Sequence, residues 1–359
     1  MLNLDDEWAI RKTQGDEAVL KSVNNFPQQL NQAFNESCKI EFPQSYRVVK
    51  NIVVCGMGGS RFTPLIVKEL FKNEIKVPYI INDDYLLPSF VDPETLVVLS
   101  SYSGTTEEIV RCGKTAFEKG AKLTGLSADG EIATFLKKKN LPVYIFNPIY
   151  NPSQQQRIGS GYMVGGHLGI LAKLNLINVK SLVIKQAIKS CSALTKSYKI
   201  SVVTKKNIAK ILAKKLYNQY PYYIVSEFLT GVGNGIANQT NETAKTISSF
   251  RVVPELNHHL MEGLKFPSRH RSLATFVFFF SSLYSPQIKK RFYITKEVIE
   301  QNNIKTIWYE LKGKNKIEQV FELMGLGSYI TMYLAALYNQ NPALIPYVDY
   351  FKKKLKEMK

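Results

Sequence analysis

The sequence predicts an α/β fold of two subdomains, each a mostly parallel sheet flanked by helices. Between residues 51 and 146, short apolar, β-branched runs alternate with segments of helical periodicity, which is typical of βαβ units. The order helix, strand, glycine-rich turn, helix occurs near residues 20–70 and again near 207–247. This repeated order indicates two related subdomains, although no clear sequence repeat joins them.

The chain is expected to divide into four parts: an N-terminal helical segment, a first subdomain, a connector, and a second subdomain that ends in two helices. These parts cover residues 1–45, 46–175, 176–200 and 201–359. Strands are predicted in both subdomains, at residues 51–55, 77–81, 96–99, 123–126, 143–146, 222–226, 273–283 and 306–308. The helices predicted for the second subdomain are residues 207–217, 236–247, 316–338 and 343–357.

Composition and charge narrow the class of protein. The 359 residues are 45% hydrophobic and 11% aromatic, which indicates a globular chain. Lys and Arg number 47 against 29 Asp and Glu, a net charge of +18. The basic residues are spread through the chain without zinc-finger spacing or a basic tail, so we expect no nucleic acid partner. A basic surface also attracts small anionic metabolites.

No membrane partner is expected either. No apolar run is expected to reach the roughly 20 residues that a bilayer span needs, and residues 274–283 form the nearest candidate. The acidic N-terminus differs from a secretory or transit peptide. The four cysteines, at 38, 55, 112 and 191, lack metal-ligand or redox spacing. They are therefore expected to be free thiols in a reducing cytoplasm.

A hydroxyl-rich loop at residues 100–108, Ser-Ser-Tyr-Ser-Gly-Thr-Thr-Glu-Glu, joins the end of an apolar strand to the start of a helix. Backbone N–H groups and the helix dipole at such a junction suit a bound anion, and hydroxyls add further donors. The alternative is a helix cap, with Thr105 or Thr106 at the N-cap and acidic residues in the first turn. The loop alone leaves both interpretations open.

A glycine-rich turn at residues 56–60, Gly-Met-Gly-Gly-Ser, follows the first predicted strand. It lacks the Gly-x-Gly-x-x-Gly spacing of dinucleotide-binding turns, and the chain has no Gly-Lys-Ser/Thr phosphate loop. We therefore predict that Ser60 and the hydroxyl-rich loop converge on one small ligand, because parallel strands end at the same edge of a sheet.

Five short motifs, in matching order and spacing, carry a family resemblance. They lie at residues 56–60, 101–107, 156–162, 239–245 and 254–259. The first two resemble a sugar isomerase (SIS) domain. All five together resemble the bifunctional phosphoglucose/phosphomannose isomerase family, over most of the chain from about residue 50. The resemblance implies two SIS-type subdomains and reversible aldose–ketose isomerisation of glucose 6-phosphate, and of mannose 6-phosphate, with fructose 6-phosphate. It also implies a homodimer and no metal or cofactor.

The resemblance assigns roles that the reaction requires. Glu242 is the expected base that moves a proton between C1 and C2 through a cis-enediol. His258 is expected to open the sugar ring, since histidine can give and take a proton near neutrality; the adjacent His259 is the alternative. Arg157 is the expected cation that stabilises the enediolate, and Lys352 matches a C-terminal active-site lysine. The expected phosphate ligands are Gly59, Ser60, Ser101, Ser103 and Thr106.

Lys352 also has a simpler interpretation as one of several lysines on a charged surface helix. Phe351 and Leu355 are expected to mark the buried side of that helix, with Lys352 next to it. Relatives that accept mannose 6-phosphate are expected to carry a threonine near this lysine. Residues 340–359 contain none, so the expectation of glucose 6-phosphate activity is the stronger one.

Two other functions fit parts of the sequence. A non-catalytic SIS domain that senses a sugar phosphate would need the two loops but no base, and the motifs around Glu242 and His258 argue against it. An aminosugar-phosphate isomerase is the second alternative. It is weakened because the chain has no N-terminal cysteine for glutamine hydrolysis.

Overall fold

A computed structural model describes residues 1–15 and 17–358. The chain begins with three helices, α1 (Glu7–Thr13), α2 (Ala18–Asn24) and α3 (Phe26–Ser37). Buried apolar side chains such as Phe26, Leu30 and Phe34 recur at helical spacing along α3, which fixes the face that it packs inward. After α3 the chain forms a short 3₁₀ helix, Gln44–Arg47, before the first strand.

The first sheet has five strands in the order β2-β1-β3-β4-β5, and every neighbouring pair is parallel. Its strands and flanking helices are β1 (Asn51–Cys55), α4 (Gly59–Leu70), β2 (Tyr79–Asn82), β3 (Thr95–Ser100), α5 (Glu107–Glu118), β4 (Lys122–Ser127), α6 (Gly130–Lys138) and β5 (Val143–Ile145). The chain adds β2 on one side of β1 and β3 on the other. The carboxyl ends of β1 and β3 therefore flank the switch point at which doubly wound sheets bind ligands.

The second sheet has four parallel strands in the order β7-β6-β8-β9. Three helices lead to it, α7 (Ser160–Lys173), α8 (Ser181–Lys196) and α9 (Ile208–Leu216). Its strands and the remaining helices are β6 (Tyr220–Ser226), α10 (Thr230–Thr243), β7 (Ser249–Val253), α11 (His270–Leu273), β8 (Ala274–Phe280), α12 (Pro286–Gln301), β9 (Lys305–Glu310), α13 (Lys316–Leu337) and α14 (Pro346–Glu357). The predicted class, two parallel sheets flanked by helices, is confirmed; the four-part division of the chain stays a prediction.

Helices α4 and α10 pack closely against each other and join the two sheets. Gly231, at the start of α10, contacts Ile66 near the end of α4, and a Cβ at Gly231 would lie 2.4 Å from the Ile66 backbone nitrogen. One turn further along α10, Gly235 contacts Phe62. The two helices are thus antiparallel, so the start of α4 lies beside the end of α10. This arrangement brings the glycine-rich turn towards Glu242.

Helix α13 forms the centre of the fold. It is the one helix in residues 1–15 and 17–358 with the length and composition to cross a membrane, but its most apolar stretch is completely buried inside the protein. It packs against α8, α9 and α10. The expectation that no segment has this length and apolar character is therefore wrong for α13, which is a core helix by its burial.

The last helix, α14, buries none of its residues against the described part of the chain. Phe351 and Leu355 are 64% and 41% exposed, so the expectation that they mark a buried side is wrong within one chain. Their spacing does place them on one face of α14, but nothing in residues 1–15 and 17–358 buries that face. Helix α14 therefore depends on the segment that precedes it for its position.

The switch point of the second sheet lies between β6 and β8, and aromatic side chains fill it. Phe228 and Tyr284 are buried there with ring centroids 5.6 Å apart. The Tyr284 hydroxyl accepts a hydrogen bond from the Ser226 backbone N–H at 3.1 Å and donates to the Phe279 carbonyl at 3.2 Å. At the equivalent position of the first sheet, between β1 and β3, the hydroxyl of Ser100 bonds to the Ser60 carbonyl.

Candidate active site

The glycine-rich turn and the hydroxyl-rich loop meet at the carboxyl ends of β1 and β3. The Ser100 hydroxyl donates to the Ser60 carbonyl at 2.8 Å, and the Tyr102 backbone N–H donates to Ser60 Oγ at 3.0 Å. Ser60 and Ser101 are both buried. The predicted convergence of the two strand ends is therefore present in the structure.

The hydroxyls of the loop bond to one another instead of capping the helix. Ser101 Oγ and Thr106 Oγ1 are 2.9 Å apart, and Ser103 Oγ and Thr105 Oγ1 are 3.1 Å apart. Thr106 occupies the N-cap position of α5, but its side chain makes no capping hydrogen bond. Gly104 has φ +69°, and a Cβ there would lie 1.7 Å from the Asp129 carbonyl oxygen, so this turn requires glycine. The loop hydroxyls are therefore not used as a helix cap, which agrees with the anion-site interpretation.

Sequence reasoning missed His167, which supports these loops from α7. Its Nε2 is 3.0 Å from Ser100 Oγ, and the ring is 1% exposed. Because Ser100 donates its own proton to the Ser60 carbonyl, His167 Nε2 must be the donor to Ser100. Burial lowers the pKa of His167 to about 3, so the ring is neutral at working pH. A lone histidine in an apolar helix gives no sequence signal for this contact.

Arg157 lies next to the glycine-rich turn. A side chain at Gly59 would lie 3.8 Å from the Arg157 backbone nitrogen. The guanidinium is buried and donates to Thr243 Oγ1 at 3.0 Å, to Gln155 Oε1 at 2.8 Å, and through Nη2 to the backbone carbonyl of Pro342 at 2.6 Å. Burial lowers its pKa, while Glu242 and Asp349 raise it. Arg157 is thus a fixed charge between the two subdomains.

Glu242, in the last turn of α10, forms an ion pair with this guanidinium. Its Oε2 lies 3.6 Å from Arg157 Nη1, and its side chain is 34% exposed, whereas that of Arg157 is 2% exposed. Partial burial raises the pKa of Glu242, and Arg157, Lys352 and Lys245 oppose that rise. Glu242 is therefore a carboxylate with an open side towards solvent and a buried cation behind it.

Helix α14 contributes charge to the same place. Lys352 lies close enough to Glu242 for its charge to lower the pKa of that carboxyl, and Asp349 acts in the opposite sense on Arg157. Lys352 itself is exposed. The structure thus brings together the two loops, Arg157, Glu242 and Lys352 within one chain.

His258 does not reach this group within the chain. Glu242 precedes the amino end of β7, whereas His258 follows the carboxyl end of β7, in a 3₁₀ turn spanning Glu255–His258. The five residues of β7, which lie between them in the chain, span about 16 Å at 3.3 Å per strand residue. Across residues 1–15 and 17–358, the exposed His258 side chain has no hydrogen bond or ion pair. The adjacent His259 pairs with Glu255, with Nδ1 and Oε1 3.2 Å apart.

Comparison with known proteins identifies the family. Residues 205–355 match the bacterial phospho-glucose isomerase C-terminal SIS domain. The chain is 32% identical, over 348 residues, to a bifunctional phosphoglucose/phosphomannose isomerase of Caldicellulosiruptor bescii, an alignment that covers 95% of this chain and 100% of the relative. The chain belongs to the bifunctional phosphoglucose/phosphomannose isomerase family. A family member from Aquifex aeolicus is 26% identical, with 86% of this chain and 91% of that protein covered.

Solved structures confirm the SIS-type fold of this phosphoglucose/phosphomannose isomerase family member. A hypothetical protein of Thermus thermophilus superposes with a TM-score of 0.74 at 17% identity, covering 98% of this chain and 94% of the other. The C-terminal domain of a glucosamine-fructose-6-phosphate aminotransferase from Francisella tularensis superposes with a TM-score of 0.67 at 12% identity, covering 90% and 96%. At these identities the likeness concerns the architecture alone.

Proposed function

We propose that the protein interconverts glucose 6-phosphate and fructose 6-phosphate, with mannose 6-phosphate as a second aldose substrate, through a cis-enediol and without a metal. The observation that carries this proposal is the Arg157–Glu242 ion pair, which adjoins the hydroxyl-lined ends of β1 and β3. A sensor of sugar phosphates needs the hydroxyls but has no use for a partly exposed carboxylate held against a buried cation.

The proposed mechanism assigns one task to each part of the site. Gly59, Ser60, Ser101, Ser103 and Thr106 bind the phosphate through hydroxyl and backbone N–H groups. Glu242 takes a proton from C1 or C2 of the open-chain sugar and returns it to the neighbouring carbon. Arg157 stabilises the enediolate mainly through its charge, because most of its N–H groups are already bonded within the protein. Lys352 adds a second positive charge on the solvent side of Glu242.

We further propose that the protein is a homodimer in which a second copy supplies His258. Within one chain the site has a base and a cation. The proposed ring-opening His258, however, follows the carboxyl end of β7, whereas Glu242 precedes the amino end of that strand. His258 belongs to a segment, residues 254–273, most of which is exposed, and Phe266 in it is 70% exposed. A segment of this kind can reach a neighbouring copy, and two-fold symmetry would complete two sites at once.

A cytoplasmic location is also proposed. The cysteines at 38, 55, 112 and 191 are all free thiols, three of them buried, which suits a reducing compartment. Phosphorylated sugars are charged metabolites that do not cross a bilayer unaided, so an isomerase acting on them is expected where they are made.

The direct test is turnover. Purified protein is incubated with fructose 6-phosphate in the presence of EDTA, and glucose 6-phosphate and mannose 6-phosphate are measured separately. We expect both aldoses to form. Absence of both would contradict the proposal, while formation of glucose 6-phosphate alone would restrict the substrate range.

His167→Leu is expected to raise KM for fructose 6-phosphate about five-fold with kcat nearly unchanged, since a hydrogen bond worth about 1 kcal/mol would be lost from the support of the phosphate loops. His167→Gln, whose amide can donate to Ser100, is the matched control and should stay near the wild-type KM. Steady-state kinetics at one pH measure both values. A wild-type KM in His167→Leu would show that the Ser100 contact does not support substrate binding.

A further inference from the structure

A row of backbone carbonyls before α14 is held by cations of the active site. We name residues 338–345 the C-terminal strap. Lys245 Nζ donates to the Asn341 carbonyl at 2.9 Å, and Arg157 Nη2 donates to the carbonyls of Pro342 at 2.6 Å and Ala343 at 3.1 Å. Three consecutive carbonyls of the strap are therefore bonded to positive charges that belong to another part of the chain.

Lys245 also holds the end of the helix that carries Glu242. Its ammonium donates to the Glu242 carbonyl at 3.0 Å and to the Thr243 carbonyl at 3.1 Å. These are carbonyls in the last turn of α10, where a cation compensates the helix dipole. The backbone of Lys245 has φ +53°, which turns the chain out of the helix there. With the bond to Asn341, all three ammonium protons are used.

The strap connects α14 to the core helix α13. Helix α14 buries none of its residues against the described part of the chain, so its own packing fixes little. An isolated helix of 12 residues is marginal in water. Yet α14 carries Lys352, whose charge acts on Glu242. The distance between Lys352 and Glu242 therefore depends on the bonds that hold the strap.

We propose that Lys245 is a positioning residue for the isomerase, whose ammonium ties the C-terminal strap to the end of α10 and so holds Lys352 against Glu242. The proposal deepens the proposed function and rests on it for its kinetic readout. Its second readout, the mobility of the strap and α14, is independent of catalysis.

The hydrogen bonds of Lys245 to the C-terminal strap and to the end of α10 are expected to weaken at alkaline pH. Arg157 and Glu242 are the charged groups that act on Lys245 directly. On α14, Lys352 acts on Glu242 and Asp349 acts on Arg157. Burial and the Arg157 charge lower the pKa of Lys245 to about 8, and Glu242 opposes them. Below that pH the ammonium has three N–H groups for three carbonyls. Above it the neutral amine has two and no charge, so one bond is lost and the others weaken.

Lys245→Met and Lys245→Arg test this proposal, with Lys137→Met as the matched control, an exposed lysine on α6. At pH 7 we expect Lys245→Met to lower kcat about ten-fold with KM within about two-fold, as the loss of charge-assisted hydrogen bonds implies. In hydrogen exchange at pH 7, residues 338–358 of this variant should exchange about ten-fold faster than in the wild type and in Lys137→Met.

Lys245→Arg separates positioning from a general structural role. Arginine keeps its charge up to about pH 12, so the wild-type decline of kcat near pH 8 should be absent from this variant. An unchanged alkaline decline in Lys245→Arg would overturn the proposal, and so would control-level exchange of residues 338–358 in Lys245→Met. If Lys245→Met does not fold, the pH profile of Lys245→Arg decides. If the wild type shows no isomerase activity, the proposed function fails and the exchange data still decide the role of Lys245.

Discussion

Glu242→Gln is expected to lower kcat for fructose 6-phosphate by roughly 100- to 10,000-fold, the range that a positioned general base contributes. Glutamine keeps the shape of the side chain but cannot take a proton from C1 or C2. Because the phosphate loops are untouched, KM should change little. The measurement is steady-state kinetics in both directions, with fructose 6-phosphate and with glucose 6-phosphate.

Glu297→Gln, on the exposed face of α12, is the matched control and should keep wild-type kinetics. The wild-type pH profile gives an independent check. Glu242 must be ionised to act, and partial burial raises its pKa, so kcat/KM should fall as pH decreases through that raised value. A Glu242→Gln variant that turns over at the wild-type rate would remove Glu242 as the base.

Mixed dimers of Glu242→Gln and His258→Asn are expected to regain about half the activity of the wild-type dimer, although each variant alone is inactive. In a two-fold dimer whose sites combine Glu242 of one copy with His258 of the other, one of the two sites then contains both native residues. The two variants are coexpressed with different tags and the mixed dimer is purified through both. Turnover per dimer is then compared with that of the wild type.

A dimer of Glu242→Gln with itself, carrying both tags, is the control for tags and purification. An inactive mixed dimer would show that His258 does not act from the partner copy. Full activity of His258→Asn alone would exclude His258 as the ring-opening group. In that case His259→Asn becomes the variant to measure, because His259 is the adjacent alternative.

Most elements of the first subdomain follow from the sequence because its strands are short, apolar and separated by regular helices. The second subdomain was harder to predict. Strand β7 (Ser249–Val253) was missed because it lies at the edge of the sheet and is only half-buried, so apolar residues do not mark it. Helix α10 begins at Thr230, six residues before the predicted start, since three glycines disfavour helix in isolation. Packing against α4 overrides that local preference.

The site was partly predictable for similar reasons. The convergence of Ser60 and Ser101 follows from the parallel strand order, which places both at one edge. The roles of Glu242, Arg157, Lys352 and His258 came from resemblance, and they stay predictions. Which of these residues meet depends on how the two subdomains pack, and no spacing encodes that.

The sequence predicts no role for two supporting residues, His167 and Lys245, although Lys245 ends the motif at residues 239–245. Each acts through backbone carbonyls or a neighbouring hydroxyl far away in the sequence, from Ser100 to the C-terminal strap. Such contacts leave no pattern of residue types, because any carbonyl is an acceptor. They become visible only once the chain is folded.

The two sheets are of similar build, but side chains fill the switch point of the second one. At the ends of β6 and β8, Tyr284 and Phe228 occupy the space that corresponds to the proposed phosphate site of the first sheet. Substitutions there are expected to lower the stability of the folded protein, because loss of the Tyr284 hydroxyl leaves the buried Ser226 N–H without its acceptor. If the proposed phosphate site is correct, substitutions at the ends of β1 and β3 should instead raise KM.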